Sequence, residues 1–189
     1  MKKIEISKDE CALVQPGAVI YLISTISKSG LLNIAPYGMV ISVSYNPPTY
    51  ALSSDKDRDT YRNIIETKEF VLNIPTTSQI REIDLTAGKF PPEVNEFEVA
   101  NLTPLNSTKV RPPRIKECRA HLECRLSKVI DLNKKEVIII GKVVSLSLDK
   151  DLYQKDFAQQ KGLLDPVIGI RPNYGKVFYF GLGRFVGKR

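Results

Sequence analysis

The 189-residue chain has only three cysteines, a single histidine and no long apolar run, and each shortage removes a class of function. Cys11, Cys118 and Cys124 are odd in number and include no Cys-x-x-Cys pair, so there is no disulfide framework. With His121 alone, a zinc site lacks ligands, and no metal is expected. Cys118 and Cys124 lie six apart in a strand-like stretch and are expected on one face as reduced core thiols, with His121 packed between them. No segment approaches the roughly 18 to 20 apolar residues of a membrane span. The start, Met1 to Glu5, lacks the apolar core of a signal peptide, so a cytoplasmic location is expected. Paired carboxylates, a Ser-His-Asp set and a Cys-His pair at workable spacing are missing, so no catalytic side chain is named. A Gly-x-Gly-x-x-Gly nucleotide motif is missing too.

What is present is an ordinary globular composition, 42% hydrophobic and 26% charged, in a length that suits one domain over 1–189. The net charge of +7 favours anionic partners without choosing among them. The basic runs Arg111 to Arg119 and Arg184 to Arg189 interleave too few aromatics for a base-stacking platform. Solvated surface or a face toward a phosphate-bearing ligand is the more economical reading, and no nucleic acid or membrane partner is expected.

Along the chain, Ala18 to Ser27 reads as a strand entering a hairpin at Lys28, Ser29 and Gly30. The β-rich run Leu31 to Tyr45 is interrupted by Pro36 and Gly38 and closed by Asn46, Pro47 and Pro48, before a return strand over Thr49 to Ser54. Asp57 or Asp59 is placed to cap a helix in which Tyr61, Ile64 and Ile65 share a buried face. Glu69 to Pro75 is a further strand. Thr76 and Gln79 have capping-box spacing for a second helix that reaches Leu85 or Ala87 and stops at Gly88. Lys89 to Pro113, with five prolines, reads as an irregular excursion and a candidate cover for a site. Ile115 to Ile130 and Glu136 to Leu148 form the clearest hairpin. Its stretch Val137 to Val144 is apolar on both pleat faces and is expected to be buried from both sides. A short helix or loop over Asp149 to Lys161 and a terminal hairpin, Pro166 to Arg171 with Lys176 to Leu182, complete the chain. Many strands and few helices predict a mainly β fold, an antiparallel barrel with short helices at its ends.

Two segments carry the candidate chemistry. Asn33 to Met39 holds Pro36, which gives a ladder no amide, and Gly38, which lets backbone approach a ligand closely. Ser53, Ser54, Lys56, Arg58, Thr60 and Tyr61 place hydroxyls and cations just before a helix start, where free amides favour an anion. Together they suggest a phosphate-bearing ligand. Tyr37 and Met39 equally suit a barrel core, Ser53 and Ser54 a turn, and Lys56 and Arg58 solvent.

In this order and spacing the chain resembles the flavin reductase-like family of FMN-binding split β-barrels, which includes flavoredoxin and the small reductase components of two-component monooxygenases. The matching residues are Thr25; Gly30 to Tyr37; Pro47 and Pro48; Thr60 to Ile64; Phe70 to Asn73; Leu102 to Pro104; Glu117 and Cys118; and Tyr179 in the late hairpin. The resemblance implies FMN at a homodimer interface. The backbone around Pro36, Tyr37, Gly38 and Met39 would meet the isoalloxazine edge, and Ser53, Ser54, Lys56, Arg58 and Thr60 the phosphate and ribityl chain, with Asn33 and Tyr61 also expected among the cofactor-binding residues. It implies an NAD(P)H:flavin reductase with NADH or NADPH as hydride donor, the nicotinamide lying under Lys89 to Pro92 or near Arg171 to Tyr174. A non-catalytic FMN-binding or electron-transfer protein reduced by a protein partner is the alternative, and a basic β-barrel that binds nucleic acid the outlier.

Overall fold

Strands dominate the computed structural model, which describes residues 3–173 and 176–183. In chain order the elements are β1 (Ala18–Val19), β2 (Tyr21–Ile26), β3 (Leu32–Tyr37), β4 (Val40–Tyr45), β5 (Pro48–Asp55), α1 (Asp59–Thr67), β6 (Glu69–Ile74), α2 (Ile80–Thr86), α3 (Glu96–Val99), β7 (Pro104–Leu105), β8 (Arg114–Ile115), β9 (Ala120–Asp131), β10 (Glu136–Leu148), α4 (Lys150–Tyr153), α5 (Phe157–Leu164), β11 (Ile168–Asn173) and β12 (Lys176–Phe180).

Seven strands make one sheet in the order β3-β2-β6-β9-β10-β5-β4, every neighbouring pair antiparallel. Its two edges, β3 and β4, are joined only by Gly38 and Met39. Three Cα steps reach about 11 Å, whereas six gaps in a flat sheet measure about 29 Å. The sheet must therefore roll until its edges meet, and the seam between β3 and β4 is closed by covalent chain and not by a ladder. The fold is a split barrel, mainly β with short helices.

Inside the barrel lie Ile23, Leu52, Phe70, Leu72, Leu122, Cys124, Val137 and Ile139, with Ile64 of α1 packed on them. Gly141 is dictated by this core, since a β-carbon there would stand 2.7 Å from Cε1 of Phe70. A second core, outside β2 and β3, gathers Leu22, Ile34, Ile83, Phe97, Ile115 and Cys118 under α2 and α3. The small sheet β1-β11-β12 and the ribbon β7-β8 complete the strands.

Several expectations are corrected. Ala18 to Ser27 is not one strand: the Ile20 amide donates to the Val167 carbonyl at 2.8 Å, so β1 belongs to the small sheet. Arg58, not Asp57 or Asp59, occupies the N-cap of α1 and makes no side-chain cap, and Asp59 pairs with Arg62 one turn on. Lys89 to Pro113 is less irregular than its prolines suggest, since α3 and β7 fall within it. The stretch Val137 to Val144 is central in the sheet but not sealed on both faces: Val137 and Ile139 are buried inside, Ile138 and Ile140 half-buried outside. A barrel has one interior, and among the described residues no element buries the outer wall at Ile138 and Ile140. Cys118 and Cys124 do not share a strand face, because Cys118 sits in the turn before β9 and joins the other core. Both are buried free thiols whose pKa values burial pushes up. The helices at Thr76 to Ala87 and after Asp149 stand where expected, with the Thr76 and Gln79 box formed. The tip of the terminal hairpin, Tyr174 and Gly175, and the basic run Arg184 to Arg189 lie outside the described residues.

Candidate functional site

The rolled sheet brings the two candidate segments together. The Ser53 amide donates to the Met39 carbonyl at 3.0 Å, and the hydroxyls of Tyr37 and Ser54 lie 2.9 Å apart. Strand periodicity then sorts the residues. On β5, Leu52 packs into the barrel and Ser54 is 5% exposed, while Ser53, between them, faces out.

On the outer wall a shallow apolar groove of about 340 Å³ runs beside the seam, lined by Gly38, Met39, Val40, Ile41, Ala51, Leu52, Ser53 and Ile138. Gly38 bares its backbone there, and Ser53 is the one hydroxyl in the lining. Register sets the outer row: Ile41 opposes Ala51, which opposes Ile140, and Ser53 opposes Ile138. Along β5 from Ser53 the chain passes Asp55 to Lys56 and Arg58 at the start of α1. There Lys56 Nζ meets Asp131 at 2.7 Å, and Arg58 Nε lies 3.9 Å from Asp55. Asp131 raises the Lys56 ammonium above its ordinary value. Both pairs are solvent-exposed and therefore screened, so these cations are free to exchange partners for a stronger anion.

Behind this wall lies a different set. Asn33, Ser54 and Thr60 are buried; Asn33 and Thr60 are committed to each other and through Asn33 to Thr25 and Glu96, while Ser54 is committed to Tyr37 and the Asp55 carbonyl. The phenol of Tyr37 is held by Ser54 and Thr60, and burial pushes its pKa up. Tyr61 is half-buried against the barrel core, and Pro36 sits on the edge strand β3 opposite Leu22, where its missing amide costs no inner ladder bond. Of the eleven residues named from sequence, Gly38, Met39 and Ser53 thus line the groove and Lys56 and Arg58 lie along the chain at the start of α1. Asn33, Tyr37, Ser54 and Thr60 form a layer behind, and Pro36 and Tyr61 flank them.

Reading the sequence missed Val40, Ile41, Ala51, Leu52 and Ile138 in the lining and Glu96 in the layer behind. Alternation of Ile41, Val43 and Tyr45, all exposed on β4, was the available signal for the first group. Glu96 had none, since its partner Asn33 is 63 residues away. The Lys89 to Pro113 segment covers Asn33, not the groove: Pro92, Val94 and Glu96 enclose a cavity of about 20 Å³ against Asn33, Asp59 and Asn63. The side chains of 171–173 and Tyr174, the other proposed nicotinamide flank, lie outside the description.

The chemistry of the groove fits FMN. A flat apolar ring with a polar edge suits an apolar slot with bare backbone and one hydroxyl, and a phosphate suits cations at a helix N-terminus. Among the described residues no His, Cys, Asp and Glu group could hold a metal ion, and no helix is long and apolar enough to cross a membrane.

Comparison with known proteins agrees. The flavin reductase like domain profile matches residues 17–165. An uncharacterised protein of Aquifex aeolicus (strain VF5) is 42% identical over 139 residues, 69% of this chain and 71% of that protein. Component B of the nitrilotriacetate monooxygenase of Bacillus cereus superposes with a TM-score of 0.85 at 30% identity, over 100% of this chain and 98% of its own. Flavoredoxin of Desulfovibrio vulgaris (Miyazaki F) has the same fold, with a TM-score of 0.86 at 23% identity over 100% of this chain and 97% of its own. The chain belongs to the flavin reductase-like domain family, and its fold is a split barrel.

Proposed function

We propose that the chain is an NAD(P)H:flavin oxidoreductase that holds FMN in the groove beside the β3–β4 seam and works as a homodimer. The observation that carries the reading is the meeting of Gly38 and Met39 with Ser53 in an apolar slot that leads to Lys56 and Arg58. Bound FMN supplies the hydride-accepting chemistry, with NADH or NADPH as donor. The protein's part is to bind and orient. Backbone at Gly38 and Met39 offers polar groups to the ring edge, Ile41, Ala51 and Ile138 give an apolar bed that excludes water, and Ser53, Lys56 and Arg58 meet the ribityl and phosphate end. Tyr37, Ser54, Thr60 and Asn33 hold the wall rigid from behind. No acid, base or nucleophile is asked of the chain, which agrees with the lack of such a set in its sequence.

Met39 and Ile41 in the groove and Val43 further along β4 are more than half exposed, apolar surface that a lone chain would leave in water and that a second copy would cover. A second copy laid on this wall would also roof the groove. Unpaired thiols at Cys11, Cys118 and Cys124 suit the reducing cytoplasm, where we place the protein.

The test is the visible spectrum of the purified protein under anaerobic conditions. Flavin absorbance bleached by NADH or NADPH is the expected result. Absorbance that neither bleaches, but a reduced protein partner does, would replace the reductase with an electron-transfer flavoprotein.

A further inference from the structure

Glu96 lies behind the groove and contributes nothing to it directly, yet it is 6% exposed, with both carboxylate oxygens directed at donors. Its Oε1 accepts from Asn33 Nδ2 at 3.0 Å and its Oε2 from the Ile34 amide at 3.3 Å. Asn33 Oδ1 in turn accepts the hydroxyls of Thr25 at 2.9 Å and Thr60 at 3.1 Å, while Asn63 Nδ2 donates to Thr25 at 3.0 Å. Direction in this set is imposed from one end. A carboxylate accepts and cannot donate, so Asn33 must turn its NH2 to Glu96 and its oxygen to the threonines, which fixes both hydroxyl protons. Thr60 stands in the first turn of α1, two residues beyond Arg58.

We propose that Glu96 is a positioning residue for the flavin site: by setting the direction of the Asn33 amide it fixes Thr60, and with it the first turn of α1, in the orientation that receives the phosphate end of the ligand. The inference rests on the FMN reading. It gives the Lys89 to Pro113 segment a part as well, because docking α3 on β3 and setting α1 become one event.

An amide at position 96 cannot do this. Its single oxygen can serve Asn33 or the Ile34 amide, and its NH2 then faces the other donor. Turning Asn33 over would relieve that conflict but would aim its NH2 at two hydroxyls, one of which already accepts from Asn63. Exchanging the pair removes the conflict. In Asn33→Asp with Glu96→Gln, the introduced aspartate accepts from Thr25, Thr60 and the introduced NH2, and the introduced amide oxygen accepts from Ile34. Every bond returns, the one between positions 33 and 96 reversed and those to Thr25, Thr60 and the Ile34 amide in their original direction.

The experiment compares wild type, Glu96→Gln and the exchanged double variant. In flavin-free protein, NMR reads hydrogen exchange at the Thr60 hydroxyl and the Ile34 amide; titration then reads Kd for FMN and for riboflavin, which lacks the phosphate. Glu96→Gln should expose both protons and raise the FMN Kd by about tenfold, a typical loss for one misdirected buried hydrogen bond, with riboflavin affinity changed less than about twofold. The double variant should restore all of these. Equal weakening of both flavins, a wild-type FMN to riboflavin ratio in Glu96→Gln, or failure of the exchange to restore it overturns the inference. Should Glu96→Gln not fold, the double variant decides by the same ratio, and its failure to fold also overturns the inference. A wild-type chain that takes up neither flavin rejects the cofactor reading and with it the ligand half of this inference. An unchanged Thr60 proton in Glu96→Gln rejects the relay itself, so the two failures are told apart.

Discussion

Replacing Gly38 by valine should remove the flavin and leave the barrel standing. The backbone at Gly38 is not in the left-handed region, which among the described glycines is occupied by Gly17 and Gly30. A side chain at Gly38 therefore brings no backbone strain, and the one neighbour its β-carbon would meet is Ile20 Cδ1 at 3.2 Å, the free end of a flexible side chain. That contact costs below about 1 kcal/mol, under the usual range for overpacking, and moves the melting midpoint by no more than about 4 °C in a chain of this size. The groove has no such slack. Gly38 forms part of its wall, and the added methyls enter the space the ring requires. An overlap costing about 2–3 kcal/mol weakens flavin binding by roughly 30- to 150-fold. Gly30 supplies the control: it has φ +94° and nothing within 4 Å of an added β-carbon. Gly30→Ala should cost about 1–2 kcal/mol of stability through left-handed strain and leave flavin affinity unchanged. Thermal unfolding of the flavin-free variants and fluorescence titration with FMN read the two effects separately. A Gly38→Val protein that binds FMN as wild type does, or one that fails to fold, would refute the reasoning.

Gly141→Ala should destabilise the fold by about 1–3 kcal/mol, because Cζ and Cε1 of the fully buried Phe70 ring stand where the added carbon must go; an unchanged urea midpoint would show that the barrel can yield there. His121 is held neutral: Nε2 lies 2.8 Å from the Ile115 carbonyl, Nδ1 2.9 Å from the Ser147 hydroxyl, and burial lowers its pKa from 6.5. Since the unfolded chain takes up the proton first, stability from this group is full above pH 6.5 and falls as pH drops toward the folded pKa, by at most about 1.4 kcal/mol per pH unit. His121→Gln should flatten the pH dependence of unfolding below pH 6.5, and a slope as steep as wild type would exclude His121 as its source. Ile41→Lys places a charge on the outer wall, where Ile41 is 64% exposed. Sedimentation should show monomer and FMN should bind at least about tenfold more weakly, and a dimer with full flavin content would reject the proposed interface.

Much of the barrel was legible because its strands are marked at both ends. Gly30, the Asn46 to Pro48 turn and the 131–135 loop delimit runs of β-branched residues, and the Thr76 and Gln79 box opens a helix. The meeting of Met39 with Ser53 followed from a short return strand. Facing was harder. Ser53 and Ser54 look alike as hydroxyl donors, yet one lines the groove and the other is buried, and the phase was readable only from Leu52, whose inward side chain sets the alternation. Thr60 and Asn33 suited a ligand by type, but Thr60 is engaged by Asn33 and Asn33 by Glu96, a partner far away in sequence that no local pattern reveals. Val137 to Val144 misled for the opposite reason: Ile138 and Ile140 are apolar but lie on an outer wall that no described element buries, which composition cannot distinguish from a second core.

Crystals of the protein grown with FMN would show where the flavin lies. The ring should run along Gly38 and Met39 over Ile41, Ala51 and Ile138, with the phosphate toward Ser53, Lys56 and Arg58 at the start of α1. Flavin bound elsewhere on the barrel, or a ring in the groove with its phosphate turned away from α1, would contradict this placement.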